Sequence, residues 1–376
     1  MLNSPLAMPV PARFPDPVTA ATEVAALAFS MAEARDTDGQ VPDAELAELA
    51  ATGLLHAPLP PALGGIALGM TAVSAPEMRD VLRIIGGGSL SLARLYEGHV
   101  NAVRLVTCYG NPAHLRRLAS EAAAGRLSAV WNAQAGDGLR TNGERLTGGK
   151  LHTSGAGIVR RPIVTVLRDE GMVMAMPDAG LARADLSGWT PLGMKASLTG
   201  SVDFTGVAMS PDDVIGRPGD YYRAPLFAGG AWRVLAVQLG GLEKLVALYR
   251  DQLAARGRSD DPIQRARFGE ATARLETARL WSARTATVAE DSDQDPAETD
   301  ALVNLARHEF AAAALAVIER VEIGIGLPAM LRPNPVERII RDLRTYLRQP
   351  FPDAALAAAA GWALAARPVH CDIGGS

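Results

Sequence analysis

The chain has 376 residues, of which 48% are hydrophobic and 21% charged, and its formal net charge is −4. This composition is ordinary for a soluble globular protein, and the length is sufficient for two or three packed domains. The slightly negative balance argues against a nucleic-acid partner or an anionic membrane surface. Only three of the 37 basic residues are lysines, namely Lys150, Lys195 and Lys244.

The cysteines and the N-terminus bear on the cellular compartment. Cys108 and Cys371 lie far apart without the spacing of metal ligands, so we expect neither a disulfide framework nor a zinc site. The first 17 residues carry five prolines and predict a loose arm without the basic and apolar regions of a signal peptide. The sequence contains no run of about 18 uncharged apolar residues, so we expect no membrane span. We therefore expect a cytoplasmic protein.

Helical patterns dominate the first third of the chain. Apolar residues recur at helical spacing from 18 to 55, and prolines and glycines then break the pattern at 58–65. Further helices are predicted over 71–82, 89–107 and 112–124. The N-terminal part is thus expected to be helical throughout.

The sequence pattern changes from helical to strand-like in the middle of the chain and becomes helical again after it. Residues 127–214 are rich in Gly, Thr, Ser and Val in short alternating runs, which predicts an antiparallel sandwich or barrel of about eight strands. Helical patterns return over 225–256, 262–290, 297–326 and 335–348. The predicted fold class is α+β. Its three domains are an N-terminal helical domain (1–125), a middle β-sandwich or barrel (126–222) and a C-terminal four-helix bundle (223–376).

Particular stretches in this order of elements resemble the acyl-CoA dehydrogenase superfamily of flavoproteins. PLPPALGG resembles the family's Pro/Gly-Gly loop, SLARLYEGHVNAVRLVTCYGNPAHLRRLASEAAAGRL the helix pair that leads into the sheet, and LTGGKLHTSGA the flavin-side strand. WTPLGMKASLTGSVDFTGVAMSPDDVIG is the most specific match, and GIGLPAMLRPNPVERIIRD resembles the glycine turn and Arg-Asp helix near the family's C-terminus. The resemblance implies FAD, or alternatively FMN, in a cleft between sheet and bundle. It also implies a homodimer or homotetramer, because the family's flavin reaches a neighbouring subunit.

The resemblance implies a set of cofactor-binding residues, and each has an ordinary structural alternative. Residues 131–133 would meet the flavin ring edge. His152 and Ser154 lie two residues apart, so they are expected to share one strand face over the flavin. An arginine in 256–258 would reach the pyrophosphate of a partner subunit's FAD, since a guanidinium binds phosphate through two parallel bonds. A glycine turn at 324–326 would approach the cofactor. The alternatives are a core tryptophan, a surface histidine, solvated loop arginines and a helix end. These cofactor-binding candidates are Trp131, Asn132, Ala133, His152, Ser154, Arg256, Arg258, Gly324 and Gly326.

The catalytic residue is less clear from the sequence. An acyl-CoA dehydrogenase needs a carboxylate base beside the α carbon of its thioester. In the common family pattern that glutamate follows the Arg-Asp pair by eight residues, which leads here to Pro350, and Gln349 before it is a catalytic candidate. The other position used in the family, before an arginine on the helix after the sheet, holds Trp232. Asp353 is the nearest acid, and it is a candidate base or an N-cap of the last helix.

Two kinds of enzyme therefore compete. The first, preferred because most motifs match it, is a dehydrogenase acting on the CH–CH group of an acyl-CoA or a carrier-bound acyl thioester, with an electron-transfer partner or O2 as acceptor. The alternative resembles the dibenzothiophene monooxygenase and nitrososynthase branches, which use reduced flavin and O2 without an α-proton base. His99, on the helix before the sheet, is the catalytic candidate of that second class, and it could equally be a packed histidine. A degenerate paralogue is a third interpretation.

Overall fold

The N-terminal region of the computed structural model is helical, as predicted. The structure describes residues 16–38 and 40–365, so Cys371 and most of the predicted arm lie outside the described residues. The helices before the sheet are α1 (Pro17–Asp38), α2 (Asp43–Ala51), α3 (Ala75–Gly88), α4 (Leu90–Tyr109) and α5 (Pro112–Ala123). α4 begins where the side chain of Ser89 accepts the backbone N–H of Leu92 at 3.3 Å, which satisfies one free donor of the first turn.

The middle region holds the predicted number of strands in a single mixed sheet. They are β1 (Val130–Trp131), β2 (Gln134–Thr141), β3 (Leu146–Thr153), β4 (Ile163–Arg168), β5 (Gly171–Ala175), β6 (Arg183–Asp185), β7 (Gly200–Asp203) and β8 (Val214–Ile215). The strand order is β6-β7-β3-β2-β4-β5-β8, with β1 paired to β4.

The prediction of a wholly antiparallel sheet needs one correction. β4 runs parallel to both β1 and β2, whereas β2–β3, β3–β7, β4–β5, β5–β8 and β6–β7 are antiparallel. The cause lies in the connection after β3. Residues 154–162 carry the chain across, so that β4 lies beside β1 and runs in the same direction. Such a return gives a parallel pair, whereas a tight hairpin would give an antiparallel one.

The C-terminal region is a helical bundle. Its helices are α6 (Leu226–Gly229), α7 (Trp232–Ala255), α8 (Pro262–Ala289), α9 (Pro296–Ile325), α10 (Pro335–Tyr346) and α11 (Pro352–Ala365). The predicted ranges for α8, α9 and α10 agree within one or two residues. The predicted helix 225–256 is interrupted after Gly229, where two consecutive glycines weaken the helix.

Close backbone approach joins the N-terminal helices to the bundle. A Cβ on Gly240 of α7 would lie 1.8 Å from the carbonyl oxygen of Arg83 on α3, so only glycine fits this crossing. α4 in turn packs against α5, α7, α10 and β1. α4 therefore lies at the junction of the sheet and the bundle, where any cleft between them must form.

One described helix is long and apolar enough to span a membrane by length and composition. This is α9, whose most apolar window has a mean hydropathy of 1.4 and is 44% buried inside the structure. α9 packs along α8, α7 and α11. The absence of a membrane span stays a prediction from the sequence, as do the domain boundaries.

Candidate active site

The two strands assigned to the flavin are joined by a tryptophan. The indole N–H of Trp131 donates to the backbone carbonyl of Ser154 at 2.9 Å, and its buried ring packs against Phe204 with centroids 6.3 Å apart. The Ser154 hydroxyl lies 3.1 Å from the hydroxyl of Thr199. The structure thus brings Trp131 and Ser154 together, and the tryptophan ring takes the core position that the sequence left open as its alternative.

Asn132 links the sheet to the segment before the bundle. Its side-chain oxygen accepts hydrogen bonds from Thr165 at 2.8 Å and from the Tyr222 hydroxyl at 3.0 Å. The neighbouring Ala133 is exposed, and its carbonyl accepts the N–H of Leu151 at 3.0 Å. Residues 132 and 133 therefore border β3 next to Tyr222.

The expectation that His152 and Ser154 share one strand face is wrong. That expectation requires regular alternation, but His152 has a φ of 52° and the register of β3 against β7 shifts between Lys150 and Thr153. A left-handed residue in a strand turns the following side chains away from the regular pattern. In the isolated chain His152 is exposed, whereas Ser154 is half-buried.

The two arginines proposed for the pyrophosphate are held within the chain. Arg256 donates to the carbonyl of Ile325 at 3.0 Å, and Arg258 pairs with Asp261 at 2.6 Å. Arg256 thus lies at the glycine turn that follows α9, where Gly326 has a φ of 77°. Two of the predicted elements, the arginine segment and the glycine turn, therefore meet at one corner.

The two glycines of that turn serve different purposes. A Cβ on Gly324 would lie 2.1 Å from the hydroxyl of Tyr249, so this glycine permits close packing of α9 on α7. Gly326 has no heavy atom within 4 Å of such a Cβ among the described residues, and its positive φ ends the helix. Packing and chain direction account for both glycines within this chain.

The segment after α10 is fixed by side chains from the bundle. The backbone carbonyl of Tyr346 accepts the side-chain amides of Gln238 at 2.8 Å and of Gln349 at 2.7 Å. The carbonyl of Pro350, at the usual glutamate position, accepts a hydrogen bond from Arg307 of α9 at 2.9 Å. Gln349 therefore acts on the local backbone in this structure.

Asp353 lies on the exposed first turn of α11, which packs against α9. Its interpretation as an N-cap is wrong, because Pro352 already occupies the first helical position and places Asp353 inside the helix. A carboxylate in a first turn favours the helix dipole.

His99 is a packed histidine. Its Nε2 lies 2.8 Å from the carbonyl oxygen of Leu55, and its Nδ1 accepts the backbone N–H of Ser128 at 3.0 Å. Full burial lowers the pKa of His99 to about 4, so the ring is neutral and donates through Nε2. With both nitrogens bound to backbone groups, His99 has no free atom for the catalytic role considered for it.

Another face of the same helix carries a polar stripe that sequence reasoning missed. Arg94, Glu97, Asn101, Arg104 and Cys108 follow one another at steps of three and four, which places them on one face of α4. Glu97 is fully buried and accepts hydrogen bonds from Arg94 and Asn101. The 3-4-3-4 spacing of polar residues in an otherwise apolar helix is the pattern that could have revealed it.

The stripe continues into the bundle through Glu290 of α8. Arg233 donates to Asn101 at 3.0 Å and also to Glu290, and Arg104 donates to the other oxygen of Glu290 at 2.7 Å. Trp232, which stands at the second position where the family places a base, donates its indole N–H to Glu290 at 3.0 Å. The carboxylate near this position is therefore fully occupied by cations and an indole.

Aromatic residues and a buried hydroxyl complete the junction. Tyr221, Tyr222 and Phe227 form mutual edge contacts with centroids 5.0 to 5.4 Å apart. The Tyr346 hydroxyl is buried close to Arg94 and Glu97, and its burial raises its pKa. A buried hydroxyl beside an arginine adds a hydrogen-bonding group to the junction.

These residues fit a flavin. An isoalloxazine needs hydrogen-bonding groups at its edge and apolar surface at its faces. The hydroxyls of Ser154, Thr199 and Tyr346 supply the first, and the aromatic group of Tyr221, Tyr222 and Phe227 supplies apolar surface. The helix–sheet–helix fold and the residue types at the sheet–bundle junction are those that a flavoprotein requires.

Comparisons with known proteins agree with this class. Residues 234–348 match the family model for the acyl-CoA dehydrogenase C-terminal domain. Dibenzothiophene monooxygenase from Rhodococcus erythropolis is 26% identical over 299 residues, which are 70% of each chain. The corresponding enzyme of Mycolicibacterium goodii is 27% identical over 235 residues, which span 58% of this chain and 55% of that enzyme.

Solved structures share the fold over almost the whole chain. TdsC from Paenibacillus sp. A11-2 in complex with FMN and indole has a TM-score of 0.77 at 21% identity, covering 93% of this chain and 97% of its own. A glutaryl-coenzyme A dehydrogenase complex with glutaryl-CoA has a TM-score of 0.81 at 17% identity, covering 93% and 95%. The comparisons thus support the resemblance to acyl-CoA dehydrogenase superfamily flavoproteins that the sequence predicted, through the C-terminal domain and the shared fold.

Proposed function

We propose that this protein is a flavin-dependent monooxygenase that uses reduced flavin and O2 to oxidise a small molecule. This is the alternative of the two enzyme classes that the sequence left open, within the broader class of flavin-dependent oxidoreductases. The comparisons support it better than the dehydrogenase, because the curated relatives reported above are dibenzothiophene monooxygenases.

The proposal rests on the hydrogen-bond and ion-pair partners of the carboxylates at the sheet–bundle junction. Glu97 is held by Arg94 and Asn101, and Glu290 by Arg233, Arg104 and Trp232. These donors occupy both oxygens of each carboxylate, so neither presents a free oxygen to a substrate. Asp353 is exposed on α11. None of these three carboxylates is a free base, and a monooxygenase does not require one for an α proton.

A bound flavin would supply the electrons that reduce O2 and allow one oxygen atom to reach the substrate. The chain would contribute the hydroxyls of Ser154 and Tyr346 as hydrogen-bonding groups and Asn132 as a support of the ring edge. Arg94, held by Glu97, would keep a fixed positive charge beside that cleft. FAD and FMN both remain within the proposal, and Arg256 and Arg258 have intramolecular partners that account for them without a pyrophosphate.

The aromatic group suggests the kind of substrate. Tyr221, Tyr222 and Phe227 form an apolar wall next to Asn132. Such a wall favours a planar or apolar small molecule over a long flexible acyl chain, since aromatic faces stack on flat rings. TdsC was solved with indole, a compound of this kind.

The test begins with the purified protein and its affinity for FMN and FAD in both redox states. Reduced flavin is then supplied by a separate reductase, and O2 consumption is followed with indole, dibenzothiophene and a panel of acyl-CoAs. We expect oxygenated product from an aromatic compound and no bleaching of bound oxidised flavin by any thioester without O2. Anaerobic bleaching by one acyl-CoA would overturn the proposal in favour of a dehydrogenase.

We also infer a homodimer or homotetramer. α11 is composed almost entirely of apolar residues, yet Phe351 before it is 81% exposed and Leu364 within it is 89% exposed. Exposed apolar surface of this kind favours a contact with a second copy. Light scattering after size exclusion gives the mass directly, and a monomer at micromolar concentration would refute the inference.

A further inference from the structure

Lys150 is a fully buried lysine on β3. Its ammonium group donates to Thr165 Oγ1 at 2.7 Å, to Gln134 Oε1 at 2.9 Å and to the backbone carbonyl of Asn132 at 3.2 Å. All three acceptors are neutral. An ammonium has three N–H groups, so its charged form satisfies this set completely.

No charged side chain among the described residues is bonded to Lys150. Its partners are Asn132 directly after β1, Gln134 of β2 and Thr165 of β4, while Val202 of β7 stands opposite in the sheet. The nearest titratable group along these bonds is Tyr222, which reaches the lysine through Asn132. Burial without a counter-charge lowers the pKa of Lys150 to about 7.

Loss of one proton changes the hydrogen-bond count. A neutral amine donates two hydrogen bonds and accepts one. Thr165 has a single hydroxyl proton, which it gives to Asn132 Oδ1 at 2.8 Å while Lys150 donates to its oxygen. When Lys150 is neutral, this hydroxyl can turn to the lysine nitrogen. Asn132 Oδ1 then loses one of its two donors, and the other is the hydroxyl of Tyr222.

We propose that Lys150 is a positioning residue for the β1 edge of the cleft. Its charged form keeps the Thr165 hydroxyl directed at Asn132, and loss of its proton lets that hydroxyl turn away, which leaves the Asn132 side-chain oxygen bound by Tyr222 alone. The consequence for catalysis rests on the proposed flavin site, because Asn132 and Tyr222 border that cleft. The charge state and the movement of Tyr222 do not depend on flavin, so they can be measured on the protein alone.

The direct test uses the small number of lysines. With 13C-labelled lysine, the chain gives signals from Lys150, Lys195 and Lys244 only, and Lys195→Met and Lys244→Met assign the remaining signal to Lys150. We expect its side-chain 13C signal to titrate with a midpoint near 7, well below the ordinary lysine value of 10.5. A Lys150 signal that titrates at that ordinary value overturns the proposal even if Lys150→Met fails to fold.

A second measurement follows the consequence. In flavin-free protein labelled with 13C at the tyrosine ring, the Tyr222 signal, assigned by Tyr222→Phe, should shift with the same midpoint as Lys150. In turnover, kcat/KM of the wild type should fall several-fold as pH rises through that midpoint. Lys150→Met should remove the inflection, and Lys244→Met should keep it.

The outcomes separate this inference from the proposed function. Coupled titration of Lys150 and Tyr222 in a protein that oxygenates nothing supports the inference and refutes the function. An active monooxygenase whose Tyr222 signal is flat across the Lys150 midpoint refutes the inference. If Tyr222→Phe retains the inflection in kcat/KM, positioning does not run through Tyr222 and the inference is wrong.

Discussion

Arg94 and Glu97 lie one helical turn apart on α4 and form an ion pair in which the carboxylate is fully buried and the guanidinium is partly exposed. Asn101 binds the second oxygen of Glu97, and Arg233 of α7 binds Asn101. A continuous set of hydrogen bonds therefore connects the sheet–bundle junction to the interior of the bundle.

Removing the charge of Glu97 should destabilise the protein. Glu97→Gln leaves Arg94 without its counter-charge in a mostly apolar helix, and we expect the free energy of unfolding to fall by about 1–3 kcal/mol. Urea unfolding at pH 7 measures this change. The control is Glu270→Gln, which breaks the exposed pair with Arg320 and should change stability by no more than about 0.5 kcal/mol. Equal effects of the two variants would contradict the structural role of Glu97.

His99 should make the protein sensitive to acid. Its pKa is lowered from 6.5 to about 4, so between these values the unfolded chain binds a proton that the folded chain does not. Stability is therefore lost as pH falls from 6.5 towards 4, by an amount on the order of 3 kcal/mol. His99→Asn should lose this component of the slope, measured by urea unfolding at a series of pH values, while His308→Asn on the exposed face of α9 should retain it. A slope unchanged in His99→Asn would show that other groups cause it.

Two glycines, one closely packed and one with open space around it, give opposite predictions for stability. Gly324→Ala places a methyl group against the Tyr249 hydroxyl, and we expect a loss of about 1–3 kcal/mol from overpacking. Gly361→Ala in α11 meets no heavy atom within 4 Å among the described residues and should raise stability by about 0.5–1 kcal/mol through helix propensity. Thermal and urea unfolding of both variants test the pair. If both substitutions changed stability in the same direction, the close contact of α9 with α7 would be contradicted.

Asp353 should be dispensable for chemistry. It is exposed on α11, so Asp353→Asn should leave kcat/KM within about twofold, whereas removal of a general base costs about 10²–10⁴-fold. Turnover of the best oxygenation substrate and anaerobic reduction by acyl-CoA should both be measured on this variant. A hundredfold loss in either would restore Asp353 as the base.

The sequence predicted the elements better than the site. Helical periodicity defined α8, α9 and α10 within one or two residues, because their apolar faces repeat over many turns and their ends carry prolines and turns. It failed at His152, since a left-handed residue within a strand leaves no mark in the alternation of side chains. Sequence reasoning also named His99 as a catalytic candidate, whereas it missed Glu97, two residues earlier on the same helix.

Long-range contacts explain that last failure. The environment of Glu97 depends on Asn101 nearby but also on Arg233, and through it on Glu290, which lies 57 residues beyond Arg233 in the chain. The environment of His99 is set by the backbone of Leu55 and Ser128. The polar spacing of α4 marks the face that carries Glu97 and Asn101, but Arg233, Glu290, Leu55 and Ser128 lie far from it in the chain. The environments of Glu97 and His99 therefore become evident only in three dimensions.

The tethering of the segment after α10 has a consequence for how this protein could diversify. Gln238 of α7 and Arg307 of α9 hold the backbone carbonyls of Tyr346 and Pro350, while the side chains of that segment are not needed for these bonds. Substitutions on the segment can therefore change the side chains that it presents at constant backbone position. Under the proposed function, related enzymes could vary these side chains without moving the position at which the resembled family carries its glutamate.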